Sequence, residues 1–178
     1  MQIREATIND AERIAKVHVD SWRSTYEGII PEEFLTNLSY KQRTELWIKN
    51  IGKTDNFVIL AENTEGEIIG FADCWKRETN TVPDSGDLTS IYILKEYQGT
   101  GLGKELLKSM FFRFNSLGYQ KIFVNVLEDN KARYFYEYYG ANLCKSVQIK
   151  IGGKVLNELI YEWNNIDGVL ARLTKTNW

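Results

Sequence analysis

The chain has 178 residues, 43% of them hydrophobic, with 22 basic side chains against 24 acidic ones and a formal charge of −2. That length suits one domain with a real core, and the charge offers nucleic acid no basic surface. No run nears the roughly 18 apolar residues that a membrane helix requires, and a single histidine with two isolated cysteines argues against a structural zinc or any other metal site.

In chain order, residues 3–6 read as a short strand, and Asn9 or Asp10 caps a helix over about 11–23 whose apolar positions Ile14, Val17 and Trp22 are helically spaced. Residues 26–31 form a loop, Pro31 opens a short helix to about 37, and Ser39 caps another over 40–50. Strands at 57–61 and 68–75 flank a turn at 63–66. A polar loop over 76–86 leads to a strand from Asp87 to Leu94. A helix over 101–117 buries Leu102, Leu106, Met110, Phe111, Phe114 and Leu117, and Gly118 ends it. Residues 121–127 are apolar nearly throughout, as in a strand covered on both faces. A short helix near 130–139 stops at Gly140, and a hairpin turns at Gly152-Gly153 between 141–150 and 154–162. Residues 1–163 are thus one domain. The tail, 164–178, spaces Ile166, Val169, Leu170 and Leu173 as a final helix or a subunit contact would.

The segment Gln98-Gly99-Thr100-Gly101-Leu102-Gly103 sits between a strand and a helix. Its glycines bare the backbone N–H groups, and the helix aims its positive end at the same place, so a phosphorylated ligand is expected. A nucleotide-hydrolysing P-loop fails, because Glu105 follows Gly103-Lys104 where a hydroxyl is needed. The dinucleotide pattern fails too, since from Gly99 its last glycine falls on Lys104. Downstream stands Asn130-Lys131-Ala132-Arg133-Tyr134-Phe135-Tyr136-Glu137, then Gly140-Ala141.

Gln-x-x-Gly-x-Gly after a strand resembles the acyl-coenzyme A loop of the GNAT superfamily of N-acetyltransferases. The downstream stretch is similar to that family's second signature, with the alanine one place earlier, at Ala132. The element order β-α-α-α-β-β-β-α-β-α-β-β is also the family's. The resemblance implies an α/β GNAT (acyl-CoA N-acyltransferase) fold, a mixed, mostly antiparallel seven-stranded sheet flanked by helices. It implies acetyl-CoA as co-substrate, no metal, and a small-molecule or peptide amine as acceptor. Members are often dimers. With no leader-like segment and few cysteines, a cytoplasmic location is expected, with neither nucleic acid nor membrane as partner.

Residue by residue, the resemblance implies that the amides of 98–103 cradle the coenzyme diphosphate, that Lys104 and Arg133 pair with its phosphates, and that Asn130 bonds the pantetheine arm or the helix entry. Main-chain contacts fall at Ile91 and Ile93, and Tyr136 stands beside the thioester sulfur. A phenol near pKa 10 can protonate a thiolate whose acid has a pKa of about 8.5. An acceptor amine near pKa 10.4 must first lose a proton; Asp87 falls where some members carry a glutamate base, and Asp20, Asp73 and Glu128 are the other candidate acids. Trp22 and Tyr26 form the acceptor wall. Plainer readings stand beside these: Asn130 as a helix cap, Tyr136 and Trp22 as core, Asp87 as a turn residue, Lys104 and Arg133 as solvated cations. No cysteine holds a motif position, so transfer is expected to be direct, in a ternary complex. The rival reading is a non-catalytic acyl-CoA sensor on the same fold.

Overall fold

The computed structural model describes residues 1–175. The elements run β1 (Gln2–Glu5), α1 (Ala11–Thr25), α2 (Glu32–Thr36), α3 (Tyr40–Ile51), β2 (Phe57–Glu62), β3 (Ile68–Trp75), β4 (Ser85–Ile93), α4 (Leu102–Ser116), β5 (Lys121–Leu127), α5 (Ala132–Tyr138), β6 (Asn142–Ile151), β7 (Lys154–Trp163) and α6 (Ile166–Thr174), in the expected order. Seven strands make one sheet in the order β1-β2-β3-β4-β5-β7-β6, antiparallel except between β4 and β5.

Period-two alternation divides the sheet between two helical layers. On one face Ile59, Ala61, Ala72, Ile122, Val124 and Val126 pack with the buried stripe of α4, Leu102, Leu106, Met110, Phe111 and Phe114. Each of those α4 side chains contributes about 1.5–3 kcal/mol of burial. The tail resolves as a helix in this layer: Ile166, Val169, Leu170 and Leu173 of α6 bury themselves in the same cluster. Residues 176–178 lie outside the described range. On the other face Val58, Leu60 and Phe71 meet Ile14, Ala15 and Val17 of α1 and Trp47 of α3.

Two features depart from the sequence reading. The helix cap expected of Asp10 does not form. Its carboxylate instead accepts two bonds from the Arg4 guanidinium, both 2.8 Å, and one from the Thr7 N–H at 2.9 Å. Arg4 also donates to Glu62 at 2.8 Å, which ties β1, β2 and the entry to α1 together. Nor is β5 covered on both faces before Leu127, which packs with Tyr26, Ile30 and Leu35 on the side away from α4. Ile122, Val124 and Val126 are buried against α4, while Lys121, Phe123 and Asn125 are only half-buried on the side away from it.

One irregularity shapes the sheet. Asp73 pairs with Ser90 and Cys74 with Leu88, so Thr89 is an extra residue in β4. A bulge bends and twists its strand. The Thr89 hydroxyl donates to the Asp73 carbonyl at 2.9 Å, filling the break in the ladder. Pairing of β4 with β5 ends at the same point, at Leu88 and Val124, though β4 continues to Ile93 and β5 to Leu127.

The Arg4 guanidinium holds the Asp10 carboxyl well below the usual carboxylate range. Unfolded, that group titrates near 3.9, so its contribution is complete above about pH 4 and fades as the pH falls further. Asp10→Asn should cost about 2 kcal/mol at pH 7. Urea unfolding at pH 7 and pH 3 should show the gap to the parent protein narrowing in acid.

Candidate active site

Where β4 and β5 part, a cleft of about 940 Å³ opens. Its lining includes Val124 and Val126, which point toward α4, and Asn125, which points away. A cavity lined from both sides of one strand passes through the sheet.

The coenzyme-side expectations fall together at one end. Leu94 donates its N–H to Ile69 of β3 at 3.0 Å. Strand alternation then turns the main-chain groups of Tyr92 and Ser90 toward β3 and those of Ile91 and Ile93 toward the parted side. The Gln98 side-chain amide donates to the Ile93 carbonyl at 3.0 Å, so Gln98 secures the strand end. Gly99 and Gly101 hold φ of +75° and +89°, and a Cβ on either would meet nothing within 4 Å. The loop thus adopts a backbone only glycine takes freely, beside open space. The first internal bond of α4 runs from Glu105 N to Gly101 O at 3.3 Å. The N–H groups of Leu102, Gly103 and Lys104 precede it and lack helical acceptors.

Gln98, Gly99, Gly101, Gly103 and Lys104 line the cleft, and the Lys104 ammonium donates to the Lys175 carbonyl at 2.7 Å. Leu102 is in the core, which leaves it only its main chain to offer. The Thr100 hydroxyl is turned to the Tyr97 carbonyl at 2.7 Å, and Thr100 is not part of the lining. Arg133 lies outside the cleft on the exposed side of α5, donating to the Tyr134 hydroxyl at 2.8 Å.

At the centre, Asn130 and Tyr136 both line the cleft. Asn130 Oδ1 accepts the Ala132 N–H at 2.9 Å, the helix-entry bond, while the residue also faces the cavity. Tyr136 packs edge-on against Trp163, with ring centroids 5.7 Å apart, and against Phe135 at 5.6 Å. Its turn is closed by the Ala141 N–H on the Tyr136 carbonyl at 3.0 Å. Burial raises the phenol's pKa well above the ordinary value.

At the other end α1 supplies Ser24, Thr25 and Tyr26, followed by Glu27. The Tyr26 and Tyr92 hydroxyls lie 3.4 Å apart, and burial raises the pKa of both phenols. Trp22 stands behind this wall, its ring 4.9 Å from that of Tyr26, and does not line the cleft. His18 backs Tyr92, with ring centroids 5.4 Å apart and planes 15° from parallel, and accepts the Trp47 indole N–H at 3.0 Å.

Asp87 requires correction. Its Oδ2 accepts the Arg77 N–H at 3.1 Å and the Asn80 amide at 2.9 Å, and it lines a second cavity beside the paired part of β4, not the cleft. It precedes the bulge, so it stays where β4 still pairs with β5. The carboxylates that do line the cleft are Glu27 and Asp129. The residues alone give Glu27 only as part of the acceptor-wall segment 21–28, without a role, and do not single out Tyr92 or Asn125. Tyr92 was within reach, since it alternates with the two isoleucines.

Comparison with known proteins identifies the family. The model of the acetyltransferase (GNAT) family matches residues 17–141, and the chain belongs to that family, whose members are acyl-transferring enzymes. It is 33% identical over 173 residues to the uncharacterized N-acetyltransferase YuaI of Bacillus subtilis (strain 168), covering 97% of this chain and 98% of that one. Over 83 residues it is 43% identical to the [ribosomal protein bS18]-alanine N-acetyltransferase of Haemophilus influenzae, covering 47% of this chain and 52% of the relative. The crystal structure of PaiA N-acetyltransferase from Thermoplasma acidophilum in complex with coenzyme A superposes with a TM-score of 0.75 at 22% identity, over 92% of this chain and 98% of that one, a likeness of fold.

Gly101→Val would force a branched side chain into a left-handed backbone and fill the space beside the loop. Calorimetric titration with coenzyme A should show binding lost, while the folded circular-dichroism spectrum is retained.

Proposed function

We propose that the protein transfers an acetyl group from acetyl-coenzyme A to a primary amine of a small molecule or peptide, by direct attack in a ternary complex. One observation carries the reading. A single cleft crosses the sheet, with a bare glycine loop at one end, phenols and a carboxylate at the other, and Tyr136 between them.

The loop fits the diphosphate of a coenzyme. Its left-handed glycines leave open the volume that side chains would fill, and the free N–H groups at the start of α4 face a negative charge well. When bound, the coenzyme supplies the activated acetyl group as a thioester. The main-chain groups of Ile91 and Ile93, unpaired by any strand, offer a fixed N–H where negative charge grows on the acyl oxygen. The Tyr136 hydroxyl keeps its proton through neutral pH, because burial raises its pKa. It can give that proton to the departing sulfur as negative charge grows there, although burial makes it a weaker acid than a free phenol.

Tyr26, Tyr92 and Ser90 line the acceptor end. Tyr26 and Tyr92 remain protonated by the same burial, so neither serves as the base. Glu27 is the carboxylate on the α1 side of the cleft, and it takes the amine's proton there, directly or through water. Among similar proteins, one is named for acting on a ribosomal-protein alanine and another for spermidine, both amine acceptors.

Tyr136→Phe should lower kcat by about 100-fold while coenzyme affinity stays within about twofold, since one proton donor is lost and the ring packing is kept. Release of free thiol on mixing with acetyl-coenzyme A and a panel of amines measures this. Heat from coenzyme binding without thiol release for any amine would point to the sensor. The raised phenols predict a rate that climbs with pH as the acceptor deprotonates, without a falling limb below about pH 10. A decline setting in near pH 8 would assign the acid to another group.

A further inference from the structure

A second cavity, of about 480 Å³, lies on the sheet face away from α4, beside the patch where Leu127, Leu156 and Ile149 pack under Leu35 of α2, and it shares Asn125 with the cleft. The pairing register draws a line from that shared residue. Asn125 is opposite Ile160 of β7, and Ile160 is opposite Lys145 of β6, so all three point to the same face. Two strand spacings make the step from Asn125 to Lys145 about 10 Å, which three extended residues span. Asn125 is held in place by its amide on Glu158 at 3.0 Å.

The charges along this trough are unequal. Lys121 is paired with Glu162 at 3.0 Å, and Arg77 faces Asp87 at 3.9 Å. Lys145 is exposed and has no ion pair among the described residues. The far side of the lining therefore carries one cation in excess, Lys145, while the near end is acidic, with Glu158 bonded to Asn125 and Glu27 on the α1 side of the cleft. A bound molecule that is positive at the reacting end and negative about three residues away matches both.

We propose that this trough is a distal acceptor subsite that selects an amine carrying a carboxylate, as in the amino-terminal segment of an acidic peptide, over a polyamine. The proposal rests on the acetyltransferase reading and deepens it. It also gives the uncovered face of β5 a use, because burying Phe123 and Asn125 under a helix would close the route.

The test uses two peptides with free amino termini and amidated carboxyl ends, Ala-Ala-Ala-Glu and Ala-Ala-Ala-Gln, together with spermidine. Each is titrated calorimetrically into the protein with and without saturating coenzyme A. The acidic peptide should bind about threefold more tightly than its amide twin, the scale of an exposed ion pair. Lys145→Glu should invert the preference and leave the Gln peptide within about twofold. Equal affinities in the parent protein, a preference that survives Lys145→Glu, no binding of either peptide, or tighter binding of spermidine would each overturn the proposal. Failure of the parent reading shows elsewhere, as absence of heat with coenzyme A alone or absence of thiol release, while the ratio between peptides still decides the trough.

Discussion

A strand that loses its neighbour in mid-sheet leaves a row of N–H and C=O groups unpaired, and burying such groups without partners is costly. β4 does this after Leu88, where Thr89 is squeezed in as an extra residue and β5 swings away toward β7. The exposed main chain is tolerable because it lines a cavity instead of a dry core. Everything else at the site follows from that parting. It leaves the Ile91 and Ile93 amides facing the cleft without strand partners, brings both faces of β5 to that cleft, and lets the loop after β4 open α4 beside the gap. Asp73 supports the bulge twice, with its carbonyl on Thr89 and its buried carboxylate on the Ser90 hydroxyl.

The parting would be useless if its walls moved, and both sides are packed firmly. Behind Tyr92 stand His18, Trp22, Trp47 and Phe71, with ring centroids from 4.9 to 6.4 Å apart where they touch. Burial pushes the His18 imidazole down to about 3. It stays neutral and keeps a lone pair for the Trp47 N–H. Unfolded, the same imidazole binds a proton near 6.5, so this support weakens as the pH falls from about 6.5 toward 3. On the far side, Trp163 and Phe135 hold the Tyr136 ring, and α6 closes the layer beneath.

Much of this was legible in the residues because it is written in local rules. Ser39 accepts the Gln42 N–H as a cap should, and Gly118 sits left-handed while Tyr119 N–H bonds the Phe114 carbonyl. The glycine loop announced itself through its bare backbone. What stayed hidden depends on tertiary register. Nothing in Leu88-Thr89-Ser90 marks a bulge, yet that bulge decides which carboxylate reaches the cleft. Family resemblance pointed to Asp87, whereas the carboxylates lining the cleft are Glu27, just after α1 and sixty residues upstream, and Asp129. The open face of β5 was hidden for a related reason. Ile122, Phe123, Val124 and Val126 make an apolar run whether one side is covered or two.

The sheet also divides the labour between the two reactants. The glycine loop opens α4 in the layer with α6, and the Tyr26–Glu27 turn ends α1 in the other. In the proposed reaction a coenzyme and an acceptor entering from opposite faces would meet only at the gap, where Tyr136 stands. That arrangement separates their requirements. The coenzyme end must present N–H groups and left-handed glycines, which few substitutions respect. The proposed acceptor end is built from side chains of β4, β5 and the end of α1, and of these only Ser90 bonds to the bulge. Specificity for the amine can therefore change through residues such as Glu27, Tyr92 and Asn125 while the fold and the cradle stay the same.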